Sequence, residues 1–151
     1  MSFTRAQVAK ALGVTRTTID NMIQRGHFGT DRRPAPTAKY GWTTKDAVRL
    51  ATAMELSAFI GGSMASMLAD HANYDSPPGL YLVATPHDWP HLRGVWSGET
   101  VTRDQLAKDI AEGKIVRAAA IINLDSVVNR VVEGLLKTFE ANGQANGSEE
   151  N

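Results

Sequence analysis

The feature that most constrains the fold is a pair of short amphipathic helices, separated by a glycine, that the sequence predicts near its N-terminus. Thr4, followed three residues later by Gln7, has the pattern of an N-cap with a capping box, and apolar residues then recur at helical spacing. Gly13 ends this first helix, because a tight turn needs a residue that tolerates positive φ. Thr15 caps a second helix, which runs from Arg16 to about Arg25. The chain is therefore predicted to begin with two helices folded back on each other.

The spacing of this unit is that of a helix-turn-helix. Ala9 is small at the point where the two helices cross. Val14, Ile19 and Met22 dock the second helix onto the first. The remaining side chains of the second helix face away from the core and include short and hydrogen-bonding groups, which suit base edges and phosphates. These candidate DNA-contacting residues are Thr15, Arg16, Thr17, Thr18, Asp20, Asn21, Gln24 and Arg25. The alternative is a small helical bundle with the same spacing that never touches DNA.

The charge distribution favours the DNA-binding interpretation. The whole chain has a formal net charge of zero. Residues 1–56 hold nine basic and four acidic residues, a balance of +5, whereas residues 57–151 hold seven basic and twelve acidic residues, a balance of −5. Such asymmetry predicts a basic module for a polyanion and an acidic remainder.

The segment that follows the second helix is a loop and then a third helix. Residues 27–41 contain two prolines and read as a loop or hairpin, and Thr43 or Thr44 caps the next helix. This helix is predicted to be long and rich in small residues, and to connect the N-terminal unit to the rest of the chain as far as about Ala72. The Gly61-Gly62 pair weakens it and is a candidate position for a kink.

The C-terminal half is predicted to be an α+β unit. The segment Ser76-Pro77-Pro78-Gly79, which interrupts regular secondary structure, separates it from the connecting helix. Its predicted elements are strands at Leu80–Ala84, Arg93–Ser97 and Lys114–Asn123, a helix from Thr102 to Glu112, and a last helix from Asp125 or Ser126. The apolar face of the last helix consists of Val127, Val128, Val131, Val132, Leu135, Leu136 and Phe139. This face is wider than the stripe of ~100° that a helix usually buries on a sheet. The surplus, together with the small-residue helix Leu50–Ala69, predicts a two-fold homodimer built from residues 57–140. The alternative for Leu50–Ala69 is burial within the same chain.

Two motifs in the N-terminal third resemble a known superfamily. They are Phe3-Thr4…Val8-Ala9…Leu12-Gly13-Val14-Thr15…Thr18-Ile19-Asp20…Arg25-Gly26 and Trp42-Thr43-Thr44-Lys45-Asp46-Ala47-Val48…Leu50. Over residues 3–56 the chain resembles MerR-like winged-helix regulators and their excisionase-type relatives. The resemblance implies a winged helix with the second helix in the major groove. It also implies that four residues of the wing lie near the DNA backbone or minor groove, namely Arg32, Arg33, Lys39 and Tyr40.

The predicted fold class is therefore α+β, with an N-terminal winged helix-turn-helix, a long connecting helix and a small C-terminal α+β dimerisation domain. The predicted domains are residues 1–56 for DNA binding, residues 57–141 for the connecting helix and dimerisation, and residues 142–151 as a disordered tail.

The sequence contains no pattern typical of an active site. No serine has the glycine pattern of a nucleophile elbow, and the absence of cysteine excludes disulfides and thiolate metal sensing. The run His87-Asp88-Trp89-Pro90-His91 offers three metal-ligand side chains, but its proline argues against a helix that would align the two histidines. We therefore predict no catalytic residues, no metal site, no cofactor and no enzymatic activity.

The predicted function is sequence-specific regulation of transcription by a homodimer on double-stranded DNA, encoded by a bacterium, a phage or a mobile element. No signal peptide or membrane span is expected, which places the protein in the cytoplasm without a membrane partner. One alternative is an excisionase-like architectural factor in recombination. Another is a regulator whose C-terminal domain is ligand-responsive or enzymatic, with an effector unknown from the sequence and a pocket lined by His87, Trp89, His91 and Trp96.

Overall fold

The computed structural model describes residues 2–29, 34–37, 40–72, 78–87, 91, 94–115 and 120–146. Within these residues the chain forms six helices and a three-stranded antiparallel sheet, which confirms the α+β class. The helices are α1 (Arg5–Ala11), α2 (Arg16–Gln24), α3 (Thr44–Ser57), α4 (Gly62–Ala69), α5 (Arg103–Ala111) and α6 (Leu124–Asn146). The strands are β1 (Leu80–Pro86), β2 (Trp96–Thr102) and β3 (Ala120–Asn123).

The predicted caps of the N-terminal helices are confirmed. The Thr4 hydroxyl accepts the Gln7 N–H, and the Gln7 side chain in turn accepts the Thr4 N–H. Thr15 caps α2 by accepting the Thr18 N–H, and Thr43 forms a second capping box at the start of α3. Gly13 adopts φ +68° in the turn between α1 and α2, so the turn has the left-handed backbone that glycine allows.

The prediction of one long connecting helix is wrong in one respect, because this part of the chain forms two helices. α3 ends at Ser57 and α4 begins at Gly62. Gly61 between them has φ +63° and ψ 146°, a backbone conformation outside the helical region. The glycine pair therefore does more than weaken the helix, since it reverses the chain so that α4 packs back against α3.

The sheet has the strand order β2-β1-β3, with both pairs antiparallel. In the register, Leu82 of β1 lies opposite Thr100 of β2 on one side and Ile122 of β3 on the other. β1 matches its prediction and continues to Pro86, whereas β2 begins later than predicted.

The third predicted strand is shorter at its start than the sequence indicated. Lys114 and Ile115 lie in a bend, because the Lys114 N–H donates to the Asp109 carbonyl and closes the end of α5. Residues 116–119 of the predicted strand lie outside the described residues.

The C-terminal helix α6 holds the two halves of the chain together. It packs against α1 and α3 as well as against β1 and β3. Val8 of α1, Leu50 of α3 and Val131 of α6 are all fully buried in one apolar cluster that runs from Phe3 to Leu135. A smaller cluster of Val83, Val101 and Leu106 lies under α5 on the other face of the sheet. The division of the chain at residue 56 stays a prediction.

Two further expectations concern the ends of the C-terminal half. α6 continues to Asn146, beyond the residue at which the polar tail was predicted to begin, and residues 147–151 lie outside the described residues. No helix in the described part of the chain is both long and apolar enough to cross a membrane.

Candidate nucleic-acid interface

The apolar side of helix α2 packs against α1, as the sequence predicts. Ile19 is fully buried, and Met22 and Ile23 are partly buried against the same cluster. Ala9 of α1 is buried at the crossing, and its carbonyl accepts the N–H of Val14 at 3.0 Å. This bond holds the turn against the end of α1, and so it fixes where α2 begins.

The outer side of α2 carries an exposed polar row. Thr17, Asn21 and Gln24 are exposed and follow one another at spacings of four and three residues, so they are neighbours on one helix face. Arg16 lies beside them with 69% of its side chain exposed, and Arg25 is exposed at the C-terminal end of the helix. The first turn of α2 contains no acidic residue. The helix therefore presents a row of hydrogen-bonding groups to solvent and has no acidic charge at its positive N-terminus.

Asp20 behaves differently from the rest of the predicted contact set. Its carboxylate accepts a hydrogen bond from Arg5 of α1 and lies 3.8 Å from the Nε of Arg16. These two arginines neutralise the single acidic charge of α2. Sequence reasoning missed the pair, because Arg5 is fifteen positions away and no helical spacing joins it to Asp20.

The hydroxyls of Thr15 and Thr18 are occupied at the start of α2. Thr15 accepts the Thr18 N–H at 3.1 Å, and the two hydroxyls lie 2.9 Å apart in a hydrogen bond. Both residues were predicted to contact DNA. The structure gives them a capping role, which leaves Thr17 as the exposed threonine of this turn without a local hydrogen bond in the described part of the chain.

The base of the predicted wing is an aromatic stack. The backbones of Phe3 and Trp42 form an antiparallel bridge, with N–H···O distances of 2.7 and 2.8 Å. The rings of Phe28 and Trp42 are stacked with their centroids 5.5 Å apart, and both residues are buried. The two ends of the 27–41 segment are therefore fixed together. Tyr40 is 73% exposed near one end, while Arg32, Arg33 and Lys39 lie outside the described residues.

Arg49 is buried beneath this stack and was not identified from the sequence. Only 1% of it is exposed, its guanidinium carbon lies 4.7 Å from the centre of the Phe28 ring, and its Nε lies 3.4 Å from the Asp70 carboxylate. Arg49 therefore adds nothing to the basic surface that the charge count of residues 1–56 implied. It links the Phe28–Trp42 stack to the end of α4.

The alternative ligand site stays a prediction, because part of its expected lining lies outside the described residues. His87 and His91 are exposed, and Trp96 is partly buried against the main apolar cluster. Trp89 lies outside the described residues. Among the side chains that the structure places, no three histidine, aspartate or glutamate groups lie close enough together to hold a metal ion.

Comparison with protein-family models, with curated proteins and with solved structures finds no match for this chain.

Proposed function

We propose that the protein is a sequence-specific DNA-binding regulator of transcription that reads double-stranded DNA with α2. The observation that carries the proposal is the arrangement of α2 itself. One side buries Ile19 completely, and the other side presents Arg16, Thr17, Asn21 and Gln24 to solvent.

The chemistry of this row fits the edges of base pairs in the major groove. Asn and Gln side chains can each bind adenine through two hydrogen bonds, and Arg can do so with guanine. The positive end of the helix and the absence of an acidic residue in its first turn suit a backbone phosphate. α2 is also held in place by its cap and its buried stripe, which suits a helix that must keep its register on DNA.

A winged helix-turn-helix is part of this proposal. The Phe3–Trp42 bridge and the Phe28–Trp42 stack close the 27–41 segment at its base, as a wing requires. Lysine and arginine residues of that segment would then contact the backbone beside the major groove.

The test is a binding measurement on selected DNA. Duplexes that bind the full-length chain are enriched from a random-sequence library, and affinities for an enriched duplex and a scrambled one are measured by fluorescence anisotropy. The triple variant R16A/T17A/N21A should lose on the order of 1–3 kcal/mol for each base contact removed, and should lose the preference for the enriched sequence. The control variant R103A/K108A removes two exposed cations from α5 and should keep that preference. Unchanged affinity of the triple variant would refute the assignment of α2.

The second part of the proposal is a two-fold homodimer formed through α6. Leu136 and Phe139 are 56% and 54% exposed, and Val128 and Val132 are half-buried beside them. These four residues form a stripe about 16 Å long on one helix face, at a rise of ~1.5 Å per residue. A second copy fits this stripe, because a two-fold axis pairs an apolar surface with itself and also matches the symmetry of paired half-sites on DNA.

The size of the stripe sets the expected strength of the dimer. Two helices paired over this length bury less than the ~800 Å² per partner of a standard interface, so the association should be in the micromolar range in the absence of DNA. Light scattering at tens of micromolar should give a mass near twice 16.3 kDa. L136E/F139E should be monomeric, whereas E140Q on the same helix should remain dimeric. A monomeric wild-type chain at that concentration would refute the dimer.

A further inference from the structure

A groove between α1 and α6 brings together residues from opposite ends of the chain. Its volume is about 390 Å³, and Ala11 and Gly134 form part of its lining. Gly134 allows α6 to approach α1 closely, since a Cβ added there would lie 2.3 Å from the Ala11 carbonyl oxygen. Lys10 from α1 and Lys137 from α6 line the same groove.

These two lysines are exposed, and their ammonium groups are unpaired in the described part of the chain. Neither forms an ion pair or a hydrogen bond with another side chain in the described part of the chain. Three other basic residues of the C-terminal half are paired, whereas Arg103 on α5 is also exposed and has no ion pair in the described part of the chain. Arg130, which also lines the groove, pairs with Glu55 of α3, and Lys108 and Lys114 pair with acidic residues at the end of α5.

The groove lies next to the end of α2 that we propose to place at the DNA. Lys10 and Ala11 stand at the C-terminal end of α1, and only residues 12–15 separate them from the first residue of α2. The turn is folded tightly, because the Val14 N–H donates to the Ala9 carbonyl. The N-terminus of α2 is therefore held close to the groove in space as well as in sequence.

We infer that Lys10 and Lys137 bind backbone phosphates of the same DNA duplex, at the edge of the major groove that α2 enters. The inference rests on the proposed function and extends the interface to the C-terminal helix. Lysine suits this role, since its ammonium is a point charge on a flexible stem and needs no fixed geometry on a phosphate. Glu133 in the same groove opposes the binding of a phosphate and weakens it.

The salt dependence of binding tests the inference, because the removal of one lysine–phosphate interaction makes the slope of log affinity against log salt shallower by about 0.9. The variant K10Q/K137Q should have a slope shallower by up to about 1.8 on the enriched duplex, and should keep its preference over the scrambled one. The matched control R103Q/K108Q removes the same number of charges from α5, which packs on the sheet, and should leave the slope unchanged.

A second variant gives the opposite change. E133Q should bind DNA more tightly than the wild-type chain, since it removes the one acidic group that shares the groove with both lysines. Circular dichroism of all variants should match the wild type, because the three side chains are exposed.

The outcomes separate the two proposals. If the wild type binds DNA with a sequence preference and K10Q/K137Q keeps its salt slope, phosphate binding in the groove is refuted and the proposed function stands. If both double variants show the same decrease in slope, only total charge matters and phosphate binding in the groove is again refuted. If the wild type binds no duplex at all, both proposals fail.

Discussion

The packing of α6 on α1 can be tested with the substitution G134A, because the structure determines whether it raises or lowers the free energy of unfolding. Gly134 lies in the interior of α6, where alanine normally stabilises a helix by roughly 1 kcal/mol relative to glycine. Here a Cβ would lie 2.3 Å from the Ala11 oxygen and 3.0 Å from its carbonyl carbon. Both of these atoms belong to the backbone, so no side chain can rotate away to make room.

The expected cost follows from how far the helices must move. Ordinary van der Waals contact begins at 3.4 Å, so α6 and α1 must separate by about 1 Å. Overpacking of a well-packed site typically costs about 1–3 kcal/mol. After the gain in helix propensity is subtracted, G134A should destabilise the protein by up to about 2 kcal/mol, with a shift in Tm of roughly 2–4 °C per kcal/mol.

Urea unfolding followed by circular dichroism measures this free energy, with N129A as the control. Asn129 is exposed on the same helix, so alanine there should stabilise by a few tenths of a kcal/mol. If G134A stabilises the protein by the full propensity gain of about 1 kcal/mol, the close approach of the two helices is absent in solution.

Three other substitutions test the electrostatics. D70N should destabilise the protein by about 1–3 kcal/mol in urea unfolding, because it removes the carboxylate from the buried Arg49 guanidinium, whereas D104N on the surface should change stability little. D20N should strengthen DNA binding, since it removes the one acidic charge of α2, and unchanged affinity would mean that this charge lies away from the phosphates. The carboxylates at the end of α5, first Glu112 and then Asp109, raise the pKa of Lys114 above its usual 10.5. The stabilisation from this lysine is therefore present below pH 10.5 and lost as the pH rises through the higher folded pKa, so the stability difference between K114Q and the wild type should disappear in strong alkali.

The local features of the fold were predictable because their signals lie within a few residues. Thr4, Thr15 and Thr43 each cap a helix whose first turn follows directly, and the glycine at position 13 ends α1 in the expected turn. The buried side of α2 also followed from spacing, since a helix with one apolar stripe has one side to bury.

The long-range features were not predictable in the same way. Arg5 with Asp20, and Arg49 with Asp70, are pairs whose members lie on different elements, so no periodicity relates them. The broad apolar face of α6 was visible in the sequence, but its partners were not. The face was expected to lie on the sheet and to pair with a second copy, and in the structure it also packs on α1 and α3. The one local signal for this packing is Gly134, a glycine in the middle of an otherwise regular helix.

This packing changes how the C-terminal half relates to the proposed interface. A domain joined to a DNA-binding unit by a connecting helix alone would influence it only by tethering two copies. In this chain α6 contacts α1 directly through Gly134, and the apolar stripe that we propose for the second copy lies on the same helix. Any tilt of α6 on dimer formation would therefore be transmitted to α1, and from there through the short turn to the start of α2. Under the proposed dimer and DNA interface, substitutions at position 134 are therefore expected to change dimerisation and DNA binding together.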